Sequence, residues 1–240
     1  MAYLSSSFSS TSSVGSPPCS SPPKSNSSDG IHEFVCIPKK LMPVVSGRIN
    51  DWLERNLNFF LSLSVINQTL SNDQEKRLLL SHIWHRLVLI SMIENSFEIY
   101  VTKDLQIIQD VISSPTTTHP TETDVKQIES LIHRGKTLDI DEIGFNLIRE
   151  VIIYKEGKTL FHRPEAADAF EKAECQAQAR LTNWCSSKVK YSKIVFFLCN
   201  IYQVKQDIFE RLFCSGSTHQ TTPIQTCLDR LLIGASGSNG

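Results

Sequence analysis

Residues 73–94, DQEKRLLLSHIWHRLVLISMIE, constrain this chain more than any other stretch. From Leu78 to Ile93 the apolar residues fall on every side of a helix rather than on one stripe. Such a helix is stable only where other elements cover it from all directions, so it belongs at the centre of a domain. Ser71-Asn72-Asp73, just before it, are residue types whose side chains cap helix N-termini. The rest of the folded chain must therefore supply covering layers.

Those layers read as helices. Across residues 44–61, Ile49, Trp52, Leu53, Leu57 and Phe60 recur at steps of three and four, an amphipathic pattern. Residues 62–72 are mixed and read mostly as loop. Residues 97–101 are a short β-like stretch, residues 105–112 a weak helix, and residues 113–123 (SSPTTTHPTET) a breaker-rich surface loop. A helix is expected from Asp124 to about Arg134, with Gly135 placed to end it. The next, residues 139–154, sets Ile143, Leu147, Val151 and Tyr154 on one face. His162-Arg163-Pro164 marks a further start, because Pro is tolerated in a first turn. That helix continues through Ala166 to about Ser186 in good helix formers. Residues 190–213 supply one long helix or two, residues 216–222 break it, and Pro223 opens a short last helix. No segment keeps the period-two alternation of a sheet protein. The expected fold is all-α, nine or ten helices layered around one buried helix.

Residues 1–32 are rich in Ser, Pro, Thr and Asn and cannot bury enough apolar surface to offset chain entropy, so they read as a disordered tail or hinge. Ser16-Pro17 and Ser21-Pro22 within it are either phosphorylation sites or plain tether. The helical domain is expected over residues 33–232, followed by a flexible tail at residues 233–240. The seven cysteines are an odd number without a C-x-x-C pair, which argues against a disulfide framework and a cysteine-rich zinc module and for a reducing compartment, cytosol or nucleus. A net charge of -1 gives no global attraction to nucleic acid or anionic lipid. Apolar runs such as residues 194–199 are far too short to span a bilayer, and no basic-then-apolar leader opens the chain. No G-x-S-x-G, H-E-x-x-H or phosphate-loop motif is present, so no enzyme and no cofactor is expected. His82 and His85 are spaced to share a metal or to serve as structural histidines of a central helix, with no third ligand evident. Glu171 and Glu174 read as solvated charges on a polar helix face.

The last helix contains Leu228-Asp229-Arg230-Leu231-Leu232, an L-x-x-L-L box. Its three leucines share one stripe, the shape that lies in another protein's apolar groove or covers a core.

Four blocks in order give a resemblance. Trp52-Leu53-Glu54-Arg55 with Leu57 and Phe59 resembles W-A-K-x-x-P-x-F. Asp73-Gln74, Leu79-Leu80 and Trp84 with the apolar run beyond resemble D-Q-x-x-L-L and the buried helix that follows it. Residues 145–154 resemble F-x-x-L-K-x-I-x-x-F. Lys190-Tyr191-Ser192-Lys193, then Phe209-Glu210-Arg211-Leu212-Phe213, then Pro223-Ile224 resemble R-F-x-K-L-L, I-E-x-x-F-F and P-I. These are blocks of the nuclear receptor ligand-binding domain, and the chain is most similar to the tailless-type orphan receptors. The match spans about residues 44–232. It departs from the family in an interval two residues longer between Asp73-Gln74 and Leu79-Leu80, and in Arg86 where a Glu is often found. The family's two-zinc DNA-binding module needs eight ligand cysteines, which this chain does not supply.

The resemblance implies a layered antiparallel helical sandwich with at most a short β-turn, a nuclear location, and transcription regulation through coregulators, corepressors above coactivators. It also implies a homodimer or receptor heterodimer, formed through the helix bearing Tyr191, Phe196 and Tyr202. A small apolar ligand is possible, or its pocket is filled by side chains such as Phe59, Phe60 and Phe145. In the family a coactivator L-x-x-L-L helix lies between a base on the third helix and an acid on the terminal helix, the acid facing its positive end and the base its negative end. Here Glu54 holds the base's position, with Arg55 one residue on, and Arg230 holds the acid's position, with Asp229 one residue earlier. One residue turns a helix by about 100°, so neither neighbour is a simple substitute. The expected site is therefore a coregulator groove at Glu54, Arg55, Leu80 and Ile83, occupied by the chain's own Leu228, Leu231 and Leu232, with Arg230 beside them. The alternative is a helical module without DNA contact that pairs with other receptors and titrates them.

Overall fold

The apolar run from Leu78 to Ile93 decides how the other helices are placed. The computed structural model describes residues 42–97, 99, 122–214 and Leu228. Among them are α1 (Met42–Ser62), α2 (Ser64–Thr69), α3 (Asp73–Glu94), α4 (Glu122–Lys136), α5 (Glu142–Leu160), α6 (Pro164–Trp184), α7 (Lys188–Tyr202) and α8 (Gln206–Cys214), and no strand. The described chain is all-α.

A reciprocal cap starts α3. Asn72 Oδ1 accepts the Glu75 N–H at 2.8 Å, and the Glu75 carboxylate accepts the Ser71 N–H at 3.0 Å. The first bond satisfies one of the donors that a helix start leaves orphaned, and the second ties the residue before the cap to the first turn. From Leu79 onward α3 is almost wholly buried, His85 and Ser91 included. It packs against α1, α4 and α5, so three neighbours share its surface. On α1 the buried face is Ile49, Trp52, Leu53, Asn56, Leu57 and Phe60, while Glu54 and Arg55 point to solvent. Helix α6 lies outside α5 and also touches α2 and α7, and α7 bridges back to α4.

Helices α5 and α6 pair antiparallel, with a glycine at each end of the contact. A Cβ at Gly144 would sit 2.6 Å from the Trp184 ring, and one at Gly157 would sit 2.7 Å from the Phe170 ring. Across from them α6 presents Ala166, Ala173 and Ala177, all buried. Small residues on both sides let the two backbones approach closely.

Several boundaries differ from the sequence expectation for physical reasons. Residues 62–72 hold α2 rather than a plain loop. Ile66 and Leu70 are drawn into the core, and Asn67 Nδ2 closes the turn by donating to the Leu61 carbonyl at 2.7 Å. Gly135 does not end α4 and has no positive φ. A Cβ there would fall 2.3 Å from Ile93 Cγ2, so this glycine serves the approach of α4 to α3. Helix α5 starts at Glu142, capped by Asp141, and runs on to Leu160, so Asp139 lies before it with a φ of 49°. Residues 190–213 form two helices, divided around Val204. Phe97 belongs to no strand and meets Trp52 edge-on at 5.3 Å. Residues 1–32, 105–112, 216–222 and 233–240, and the last helix apart from Leu228, lie outside the described residues.

The glycine contact predicts a mutational cost. Overpacking a filled core costs about 1–3 kcal/mol. The Phe170 ring cannot swing away readily, because it is fully buried and stacked on Phe161 at 6.0 Å. That cost outweighs the roughly 1 kcal/mol a helix gains when Ala replaces Gly. Gly157→Ala is expected to lower the urea midpoint with an unchanged slope; an unchanged or raised midpoint would show that the ring yields.

Candidate functional site

A charged residue in the middle of an apolar helix needs partners, and Arg149 is one. It is 2 % exposed and sits in the run FNLIREVIIY of α5. Its Nε donates to Asn56 Oδ1 at 3.1 Å, its Nη1 to Asn146 Oδ1 at 3.0 Å and its Nη2 to Ser91 Oγ at 3.4 Å. The same Nη2 forms an ion pair with the Glu94 carboxylate. Asn56 in turn donates to Ser91 Oγ at 2.9 Å and to the Leu87 carbonyl at 3.3 Å. One guanidinium thus joins α1, α3 and α5 where they meet.

Above this network opens a cleft of about 590 Å³. Its floor is Arg149, Asn56 and Asn146, its walls are Phe59, Ile140 and Phe145, and Arg55, Glu94 and Glu142 carry charge into it. Sequence reasoning assigned no role to Arg149, Asn56 or Glu94. The available signal was polarity out of place: Asn56 on the apolar face of α1, and Arg149 in an otherwise apolar run.

The expected coregulator residues separate in space. Arg55 opens on the same cleft as Glu94. Leu80 and Ile83 precede Glu94 on α3 by 14 and 11 positions, about 21 and 17 Å along the axis. Arg55 therefore does not share one slot with them. Leu80 and Ile83 are 2 % and 0 % exposed, and Glu54 is exposed on α1. Leu228 is helical and 1 % exposed, within the same continuous core as Leu80 and Ile83. Arg230, Leu231 and Leu232 lie outside the described residues.

The three residues proposed for a dimer helix do not form one face either. Phe196 is 63 % exposed, and with Val189, Val195 and Ser192 it makes an outward apolar stripe on α7. The Arg134 guanidinium stands 5.7 Å from the Phe196 ring. Tyr191 is half-buried against the core. Tyr202 turns inward between two cations, Arg86 at 5.4 Å and Lys155 Nζ at 4.1 Å from its ring. Its hydroxyl is buried, and burial with the nearby Glu156 carboxylate raises its pKa. Phe60 is fully buried, whereas Phe59 and Phe145 wall the cleft.

The two histidines have different partners. His82 Nε2 meets Glu156 at 3.0 Å, and Glu156 also pairs with Arg86 at 3.2 Å. His85 is buried beside Trp84 and Phe209. Burial, then the positive charges of Arg86 and His82, push its pKa down to about 3, opposed by a backbone hydrogen bond at Val204. Among the described residues no group of three His, Cys, Asp or Glu side chains is placed to hold a metal ion. Glu174 is not a solvated surface charge: it is buried and pairs with Lys158 at 2.7 Å, while Glu171 is exposed. None of the described helices is long and apolar enough to cross a membrane.

No protein-family model matches this sequence, and no curated protein matches it.

Two outcomes follow from these electrostatics. Glu94→Ala leaves the buried guanidinium without its counter-charge, which costs about 3–5 kcal/mol. Arg55→Ala, at the exposed rim, changes stability by less than about 0.5 kcal/mol. Urea unfolding of both variants checks this, and a loss below about 1 kcal/mol for Glu94→Ala contradicts it. His85 gives a pH dependence. Its folded pKa of about 3 lies below the ordinary value of 6.5, so the unfolded chain takes up the proton first as pH falls. Stability contributed at neutral pH is lost progressively below about pH 6.5, by about 2–3 kcal/mol at roughly pH 4.5. His85→Leu should flatten that part of the stability profile, and an unchanged slope would rule out the assignment.

Proposed function

We propose that this chain is a ligand-binding-type domain of an orphan nuclear receptor, with the layered helical sandwich of that family, acting in the nucleus and recruiting corepressors. The terminal segment holds its own coregulator groove closed. The reading rests on one observation above all: Leu228, first residue of the L-x-x-L-L box, is buried in the same hydrophobic core that holds Leu80 and Ile83. It is further supported by the order of the four sequence blocks and by the burial of most of α3 from Leu79 to Ile93.

In this reading Leu231 and Leu232 extend the contact that Leu228 begins. Each leucine side chain taken from water contributes about 1.5–3 kcal/mol. A segment tethered to its groove meets it at high effective concentration, so an outside peptide of the same pattern competes poorly. Arg230 in place of an acid would repel the positive end of an incoming helix. Coactivators are therefore disfavoured, and no ligand is needed to reach the resting state. The chain acts by binding and has no catalytic role.

The outward stripe Val189, Val195 and Phe196 favours a second reading: a helical module without DNA contact that dimerises with other receptors and titrates them. In either case α7 offers the dimer surface through Phe196, without Tyr202.

Anisotropy titration with a labelled L-x-x-L-L peptide tests the self-silencing. The intact chain should bind weakly, and truncation after Thr222 should strengthen binding by about tenfold or more. Because truncation also removes Leu228 from the core, a Leu231→Ser/Leu232→Ser double variant is run beside it and should likewise bind more tightly. Tight binding by the intact chain, improved by neither change, rejects the reading.

A further inference from the structure

The cleft between α1, α3 and α5 plays no part in the proposed regulatory role, yet its chemistry is specific. Its volume of about 590 Å³ falls within the range of small-molecule sites. Two charges at its rim, Arg55 on α1 and Glu142 at the start of α5, have no ion-pair partner among the described residues. The other two charges are spent on each other, Arg149 on Glu94. The floor also keeps unused donors. Four of Arg149's five N–H groups are committed to Asn56, Asn146, Ser91 and Glu94, which leaves one on Nη1. Asn146 accepts from Arg149 through Oδ1, and its Nδ2 has no acceptor among the described residues. The apolar part of the lining is aromatic and aliphatic: Phe59, Phe145 and Ile140.

A cation on one helix and an anion on another, lining one cleft with apolar side chains and amide donors, suit a ligand that carries both charges and apolar groups. We propose that the cleft binds a zwitterionic dipeptide with apolar side chains. Its C-terminal carboxylate faces Arg55 and its N-terminal ammonium faces Glu142. A dipeptide supplies what a single amino acid lacks, a peptide carbonyl that can accept from the donors of the floor. The peptide carbonyl takes Asn146 Nδ2 and the spare Arg149 N–H, and the side chains lie on Phe59, Phe145 and Ile140. The floor is preorganised: Arg149 is 2 % exposed and held by four partners, so little is ordered on binding. This site is independent of the terminal segment, and its success or failure leaves the regulatory proposal untouched.

Leucyl-phenylalanine is the probe, with its N-acetyl form, which lacks the ammonium, and its C-terminal amide, which lacks the carboxylate. Titrations into the full chain are followed by two-dimensional NMR. The free dipeptide is expected to shift resonances of Asn146 and Arg149 with a dissociation constant of about 1 mM or tighter. Each blocked form should bind about tenfold more weakly, one charged contact being lost. Arg55→Gln should weaken the free dipeptide and leave the amide form unaffected. Glu142→Gln should weaken the free dipeptide and leave the acetyl form unaffected. Both residues are exposed, so both variants keep the fold. Absence of shifts at about 10 mM dipeptide, equal binding of all three compounds, or affinity indifferent to both substitutions overturns the proposal.

Discussion

The Arg149 guanidinium is the constraint on which the packing of this chain depends. A charge placed in the interior is tolerated only when it is paired and its donors are filled. Meeting that demand takes Asn56 from α1, Ser91 and Glu94 from α3, and Asn146 from α5 itself. Apolar packing sets helix register through shape alone. A planar donor with five N–H groups adds direction, because each partner must arrive at a set place. The network fixes the register of α1 and α5 against α3 and so fixes where both rims of the cleft stand.

Function, as proposed, is distributed over surfaces that do not overlap. The buried Leu228 ties the terminal segment to the core, the stripe on α7 faces outward, and the polar cleft lies beside the Arg149 network. Their separation has a physical basis. Apolar grooves suit helices that bring leucines, while a cleft with paired buried charges rejects them and accepts polar molecules. One fold can thus serve two classes of partner without either competing for the other's residues.

Much of the architecture could be read from residue order. The all-round apolar pattern of α3, the Pro164 start of α6 and the cap near Asn72 all hold, because each depends on local chemistry. What local chemistry does not encode was missed. Helix α2 has no strong periodicity and owes its form to the burial of Ile66 and Leu70. Gly135 carries the sequence signature of a helix end, yet its role is set by Ile93 on another helix. Glu174 was read as solvated because its partner, Lys158, sits on a different element. The candidate site was less legible still. Arg55 was assigned by its place in a motif, but side-chain direction carries it into the Glu94 cleft. Phe196 could be recognised as apolar, though nothing in the sequence separated it from the inward-turned Tyr202.

The antiparallel pairing of α5 with α6 also bears on the order in which the chain assembles. The two helices are joined by only three residues, 161–163, and meet over their whole length. Contacts between near neighbours in sequence close small loops and are quick to form. The Asn56–Arg149 bond, by contrast, spans 93 positions. The α5–α6 hairpin is thus a local unit, whereas the joining of α1 to α5 through Arg149 closes a far longer loop. Until α1 docks, Arg149 retains access to water, so the chain can search for its register before the charge is sealed inside.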